Sequence, residues 1–234
     1  MIKKILVVQH VPFEGPGYIK EWASSKGIKM EYFSAFENDF PETDDGEAIL
    51  LMGGPMSVND DVEFINKEKI WLDKVLNKNI PVFGICLGAQ FLADRLGAKV
   101  FKGSKKEIGW FPVKVDKSSL NDGHYGRLMN SGFADEEIVF HWHGEIFDIP
   151  EGCSRLFYNE ISPCQGFYKD NVVGLQFHLE TTPETAAILM ENCHEDMEEK
   201  GSFIEDEEDI LKNKENFKRI NSLIEIIFDW WSKK

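Results

Sequence analysis

Apolar residues gather along this chain in short runs bounded by turn residues: Ile5 to Val8, Ala48 to Met52, Ile80 to Ile85, Phe111 to Val115, Ile138 to Trp142 and Val172 to Leu179. Runs of this length predict buried strands. Between several of them the spacing turns helical, and Phe64, Ile65, Trp71, Leu72, Val75 and Leu76 fall on one face of a helix. Alternating strands and helices predict an α/β fold, a mostly parallel sheet with helices on both faces. From Lys99 to Tyr168 the strand-like pieces are shorter and turn residues more frequent, which predicts a small antiparallel excursion. After Thr185 an acidic segment, Glu195 to Asp209, precedes an apolar stripe at Phe217, Ile220, Ile224, Ile227 and Trp231. That stripe predicts extra C-terminal helices packed on the parent domain. The expected division is one domain over 1–184 and a helical extension over 185–234.

A length of 234 residues fits one α/β domain, and 42% apolar with 12% aromatic residues is globular composition. Twenty-six Lys and Arg against 41 Asp and Glu leave a net charge of −15, which repels a phosphate backbone. No nucleic-acid partner is expected. The start carries two lysines and a short apolar run, but His10, Pro12 and Glu14 interrupt it short of a secretory segment, so it reads as a first strand. No apolar run reaches the roughly 18 residues of a membrane span. A cytoplasmic protein without membrane contact is expected. Cys86, Cys153, Cys164 and Cys193 are spread out with no C-x-x-C pair, which argues against a zinc ribbon and a disulfide scaffold.

The richest segment for chemistry is Ile80 to Leu96. An apolar strand runs into Cys86-Leu87-Gly88-Ala89-Gln90 and then into an amphipathic helix, with Gly84 and Gly88 flanking the cysteine. G-x-C-x-G at a strand-to-helix turn is the thiol counterpart of a nucleophile elbow. The helix start offers N–H groups that favour thiolate, and the Leu87 amide is placed to stabilise an oxyanion. A small buried hydrophobe is the alternative for a lone cysteine. From Val173 to Glu180 apolar and polar positions alternate, so Gln176, His178 and Glu180 are expected on one face of a strand. A carboxylate on one imidazole nitrogen fixes the tautomer and leaves the other nitrogen for the thiol; a solvated edge strand is the alternative.

Two further segments are candidates. Leu50 to Ser57 is a strand ending in Gly53-Gly54, where backbone can approach a ligand and the Gly54 amide could be a second oxyanion donor; an ordinary turn would look the same. His141-Trp142-His143-Gly144-Glu145 places two histidines on one side of a strand, so a metal held with His178 and Glu180 has to be weighed. That reading leaves the cysteine elbow unexplained, and no metal and no cofactor are expected.

Together G-G-P-M-S, G-I-C-L-G-A-Q, H-W-H-G-E and H-L-E resemble the class I glutamine amidotransferase family, in the branch similar to the amidotransferase domain of GMP synthase. The resemblance covers about Ile5 to Pro183. It implies a flavodoxin-like fold and a cysteine that attacks a γ-glutamyl amide, leaving a γ-glutamyl thioester for water. The implied triad is Cys86, His178 and Glu180, with oxyanion amides at Gly54 and Leu87. Gln90 is implied to contact the glutamyl group, and backbone near Trp142 and His143 to hold the α-amino acid end. The H-W-H-G-E form departs from the family's S-H-G-D and is typical of stand-alone members, and the sequence holds no P-loop for the ATP-dependent half of GMP synthesis. The resemblance leaves open glutamine with a separate ATP-dependent synthase subunit as partner, and a γ-glutamyl peptidase acting on glutathione-like compounds. A reading of another class is a non-catalytic or redox-sensing flavodoxin-like module.

Overall fold

The computed structural model describes residues 2–118, 126, 128, 132–199 and 201–233. Its strands are β1 (Lys4–Gln9), β2 (Lys29–Ser34), β3 (Glu47–Leu51), β4 (Val82–Ile85), β5 (Val100–Val115), β6 (Glu136–Phe147), β7 (Ser154–Tyr158), β8 (Gly166–Lys169) and β9 (Val172–Leu175). Among the described residues they form one sheet in the order β2-β1-β3-β4-β9-β8-β7-β5-β6. β2, β1, β3, β4 and β9 run parallel, and the remaining pairs are antiparallel.

The helices are α1 (Ile19–Ser25), α2 (Glu63–Asn77), α3 (Leu87–Arg95), α4 (Pro183–Asn192), α5 (Glu207–Lys212) and α6 (Lys214–Trp231). Ile5 and Val7 of β1 join the core cluster holding Trp22 of α1 and Phe217, Ile224 and Trp231 of α6. Leu6 and Val8 point the other way, to Ile65, Leu72 and Val75 of α2 and Phe91 of α3. A sheet covered on both faces needs an apolar residue at every position, which is why its strands read as unbroken apolar runs. Each such side chain contributes about 1.5–3 kcal/mol on full burial. The stripe at Phe217, Ile220, Ile224, Ile227 and Trp231 is buried along α6, and Phe228 packs on Phe83 of β4 at 4.7 Å between ring centroids.

Two expectations need correction, and two elements were not foreseen. The excursion from Lys99 to Tyr168 is dominated by long strands rather than short pieces, because β5 and β6 pair from Lys114↔Glu136 to Val100↔Phe147 across one irregularity between Lys102 and Glu107. The run from Val172 to Leu179 is a sheet strand only as far as Leu175. β2 and α1 went unpredicted: β2 is an edge strand with no fully buried position, so it carries no apolar run. Part of the excursion, including His124, lies outside the described residues.

Candidate active site

Three segments converge beyond the carboxyl ends of β3, β4 and β9, where open α/β sheets bind ligands. Between β4 and α3 only Cys86 intervenes, at φ 50° and ψ −109°. That backbone is strained for a residue with a Cβ. Neighbours hold it: Cys86 N–H donates to Leu175 O at 2.8 Å, and Gly88 N–H to Met52 O at 3.1 Å. Close approach demands both flanking glycines, since a Cβ on Gly84 would strike the Gly88 carbonyl and one on Gly88 the Leu51 carbonyl. Cys86 lines a cleft of about 370 Å³, room for an amino-acid-sized ligand.

His178 and Glu180 line the chain just past β9. The backbone there leaves the parallel sheet but stays bound, with Gln176 N–H donating to Gln165 O at 3.0 Å and His178 N–H to Phe140 O at 2.8 Å. Alternation therefore continues, and Gln176 Nε2 reaches to 3.7 Å from Cys86 Sγ. His178 Nδ1–H donates to Glu180 Oε1 at 2.7 Å, and Cys86 lines the same cleft as the His178 ring. Burial alone would lower the His178 pKa, but Glu180 and then Cys86 raise it well above the ordinary value. The surroundings favour an imidazolium next to sulfur.

The other expected residues sit around the same cleft. Gly54 lines it, and neither the Gly54 nor the Leu87 N–H donates to any group among the described residues. Gln90 lines it and donates Nε2–H to Gln176 Oε1 at 3.2 Å. The Trp142 carbonyl lies 3.7 Å from Cys86 Sγ, and the Trp142 indole donates to Asp196 Oδ2 at 3.1 Å.

His143 lines the cleft too, but its ring is tied into the wall. Its Nδ1–H donates to Glu145 O at 3.1 Å, so the neutral ring accepts on Nε2 from His141 Nδ1–H at 3.2 Å. Burial pushes His143 down to about 3, and burial with His143 holds His141 well below the usual range, so both rings are neutral. The carboxylate joining them is Glu107, the cross-strand partner of His143, whereas Glu180 belongs to His178. Glu107, His141 and His143 are the one group among the described residues with metal-ligand spacing. Their bonding is already committed: Glu107 accepts from Asn159 at 2.7 Å and Gln165 at 2.8 Å. A metal-bound histidine normally donates its other ring N–H, yet His141 Nε2 is buried without a partner among the described residues. The cluster is a hydrogen-bonded wall, and burial pushes the Glu107 carboxyl up to about 7.

Sequence reasoning missed several residues here. The Glu14 carboxylate sits over Gly53, where any Cβ would collide with it, and faces the cleft beside His178. It takes no hydrogen bond among the described residues, and burial raises its pKa. The Glu14-Gly15-Pro16-Gly17 turn was its only signal. Asp196, bonded to Lys106 Nζ at 2.9 Å and to Trp142, comes from a segment that read merely as acidic. Burial pushes Cys153 and Cys193 up to about 11 and Cys164 up to about 12, so these three stay neutral thiols.

A flavodoxin-like α/β sheet thus carries Cys86 at a strand-to-helix turn over its carboxyl edge. A family model described as glutamine amidotransferase class-I matches residues 19–196, and the chain belongs to that family. It is 25% identical to the glutamine amidotransferase-like protein YfeJ of Salmonella typhimurium over 205 residues, 83% of this chain and 82% of that one. It is 29% identical to the GMP synthase of Wigglesworthia glossinidia brevipalpis over 151 residues, 62% of this chain but only 28% of the synthase. A crystal structure of a glutamine amidotransferase from Thermotoga maritima superposes with a TM-score of 0.86 at 28% identity, covering 100% of both chains. One from Methylobacillus flagellatus, at 23% identity and TM-score 0.89 over 100% of this chain and 95% of that one, shares the fold.

Proposed function

We propose that this chain hydrolyses a γ-glutamyl amide, with Cys86 as nucleophile, His178 as base and acid, and Glu180 as the orienting carboxylate. The Cys86 thiolate forms a bond to the amide carbonyl carbon, and the carbonyl electrons move onto oxygen. The N–H groups of Gly54 and Leu87 receive that oxyanion. The C–N bond then breaks as the His178 imidazolium gives its proton to the departing amine, leaving a γ-glutamyl thioester. Water attacks the thioester as His178 takes its proton, and glutamate leaves. Gln90 would contact the glutamyl group, and backbone at Trp142 and His143 the α-amino acid end. The observation that carries this reading is that Cys86, Gly54 and His178 line one cleft, with Glu180 bonded to His178 behind it and the Gly54 and Leu87 amides undonated among the described residues.

The substrate is either glutamine or a γ-glutamyl peptide of the glutathione kind. Incubation with each should release glutamate from at least one, with a loss of about 10³-fold or more in Cys86→Ala. No release from either, or release unaffected by Cys86→Ala, would sink the reading and favour a non-catalytic module. The similarity to GMP synthases supports a variant in which ammonia passes to an ATP-dependent synthase. Adding that synthase with ATP and its acceptor should then raise glutaminase activity. Four free thiols suit a reducing, cytoplasmic setting.

A further inference from the structure

Behind the Gly53-Gly54 turn lies a buried ionisable pair that the reaction itself does not touch. His10, just past β1, and Glu68 of α2 are both fully buried. Glu68 sits on the apolar face of α2 that carries Ile65 and Leu72. His10 Nε2 lies 2.9 and 3.1 Å from the two Glu68 oxygens, and its ring stacks on Phe91 at 5.4 Å. Its Nδ1–H donates to the Gly53 carbonyl at 3.2 Å. An apolar pair would fill the same space without the desolvation cost of two ionisable groups. What an apolar pair could not supply is the hydrogen bond to Gly53.

That bond sets a direction. In a trans peptide the C=O and the following N–H point opposite ways, and there are no cis peptides among the described residues. A peptide between two glycines has little steric reason to prefer one orientation over its flip. Fixing the Gly53 carbonyl on His10 turns the Gly54 N–H away from His10, whose Cβ would lie 2.9 Å from a Cβ on Gly54. On the other side Gly54 lines the cleft that holds Cys86.

We propose that His10, held by Glu68, is a positioning residue that locks the Gly53-Gly54 peptide with its Gly54 N–H facing the oxyanion. This rests on the hydrolase reading above. Two double variants test it. His10→Phe with Glu68→Leu keeps a ring against Phe91 and removes the donor. His10→Asn with Glu68→Leu puts an amide N–H close to where Nδ1–H was, and so keeps it.

The first should lose about 10²-fold in kcat with KM nearly unchanged, as for loss of an oxyanion donor. The second should recover most of that loss. Alkylation of Cys86 by iodoacetamide displaces iodide and forms no oxyanion, so its rate should stay near wild type in both variants. A Phe and Leu variant with near wild-type kcat, equal losses in the two variants, or alkylation falling in step with kcat would overturn the positioning role. A wild type that cleaves no γ-glutamyl amide overturns the hydrolase reading itself, and the oxyanion role with it.

Discussion

At φ 50° and ψ −109° Cys86 occupies backbone space that costs about 1–3 kcal/mol for a residue with a Cβ. Glycine there removes the strain but adds about 0.5–1 kcal/mol of unfolded-state entropy. Cys86→Gly should therefore be more stable than Cys86→Ala by about 1 kcal/mol in urea titration. Equal stabilities, or a weaker glycine variant, would mean that the turn is unstrained. The elbow was legible because its requirements are local: Gly84 and Gly88 stand within two residues of Cys86 and nearly touch each other. Glu180 was legible for the same reason, two positions from the ring to which it is hydrogen-bonded. Glu14 and the contact of His10 with Gly53 were not, because they arise only when β1 and β3 lie side by side. Glu68 left a faint trace, a carboxylate on an otherwise apolar helical face.

Alternation between Val173 and Glu180 correctly put Gln176, His178 and Glu180 on one side, but it could not say where the ladder ends. An extended backbone keeps a two-residue period whether it pairs with β4 or, past Leu175, with Gln165 and Phe140. Pairing of β5 with β6 was likewise invisible, and with it the approach of Glu107 to His143. That approach has a measurable consequence. Glu107 binds its proton more tightly in the folded chain, at about 7 against an ordinary 4.5, so folding takes up a proton between those values. The stability from this group is full at low pH and is lost as pH rises through about 7, a swing of ~3 kcal/mol. Glu107→Gln removes the titration, and Gln165 can turn its Oε1, which takes no hydrogen bond among the described residues, toward the new amide. Urea denaturation should show the variant gaining on wild type by up to about 3 kcal/mol between about pH 5 and about pH 8. Parallel pH profiles would show that the buried carboxyl does not titrate there.

For the whole molecule, the fold class was legible from strand and helix alternation, and the parallel half of the sheet follows the order β2-β1-β3-β4-β9. Strand order itself was not readable from the residues, since parallel neighbours are joined through helices and lie far apart in sequence. That order brings the ends of β3, β4 and β9 together and makes one cleft of Gly54, Cys86 and His178. No helix among the described residues is long and apolar enough to cross a membrane. The account turns on covalent chemistry at one sulfur, and trapping that bond tests it directly. Wild-type protein mixed with glutamine or a γ-glutamyl peptide, quenched in acid and digested, should show one glutamyl group on the peptide containing Cys86, and none in Cys86→Ser. Turnover to glutamate without that adduct in the wild type, or an adduct on another residue, would contradict the account.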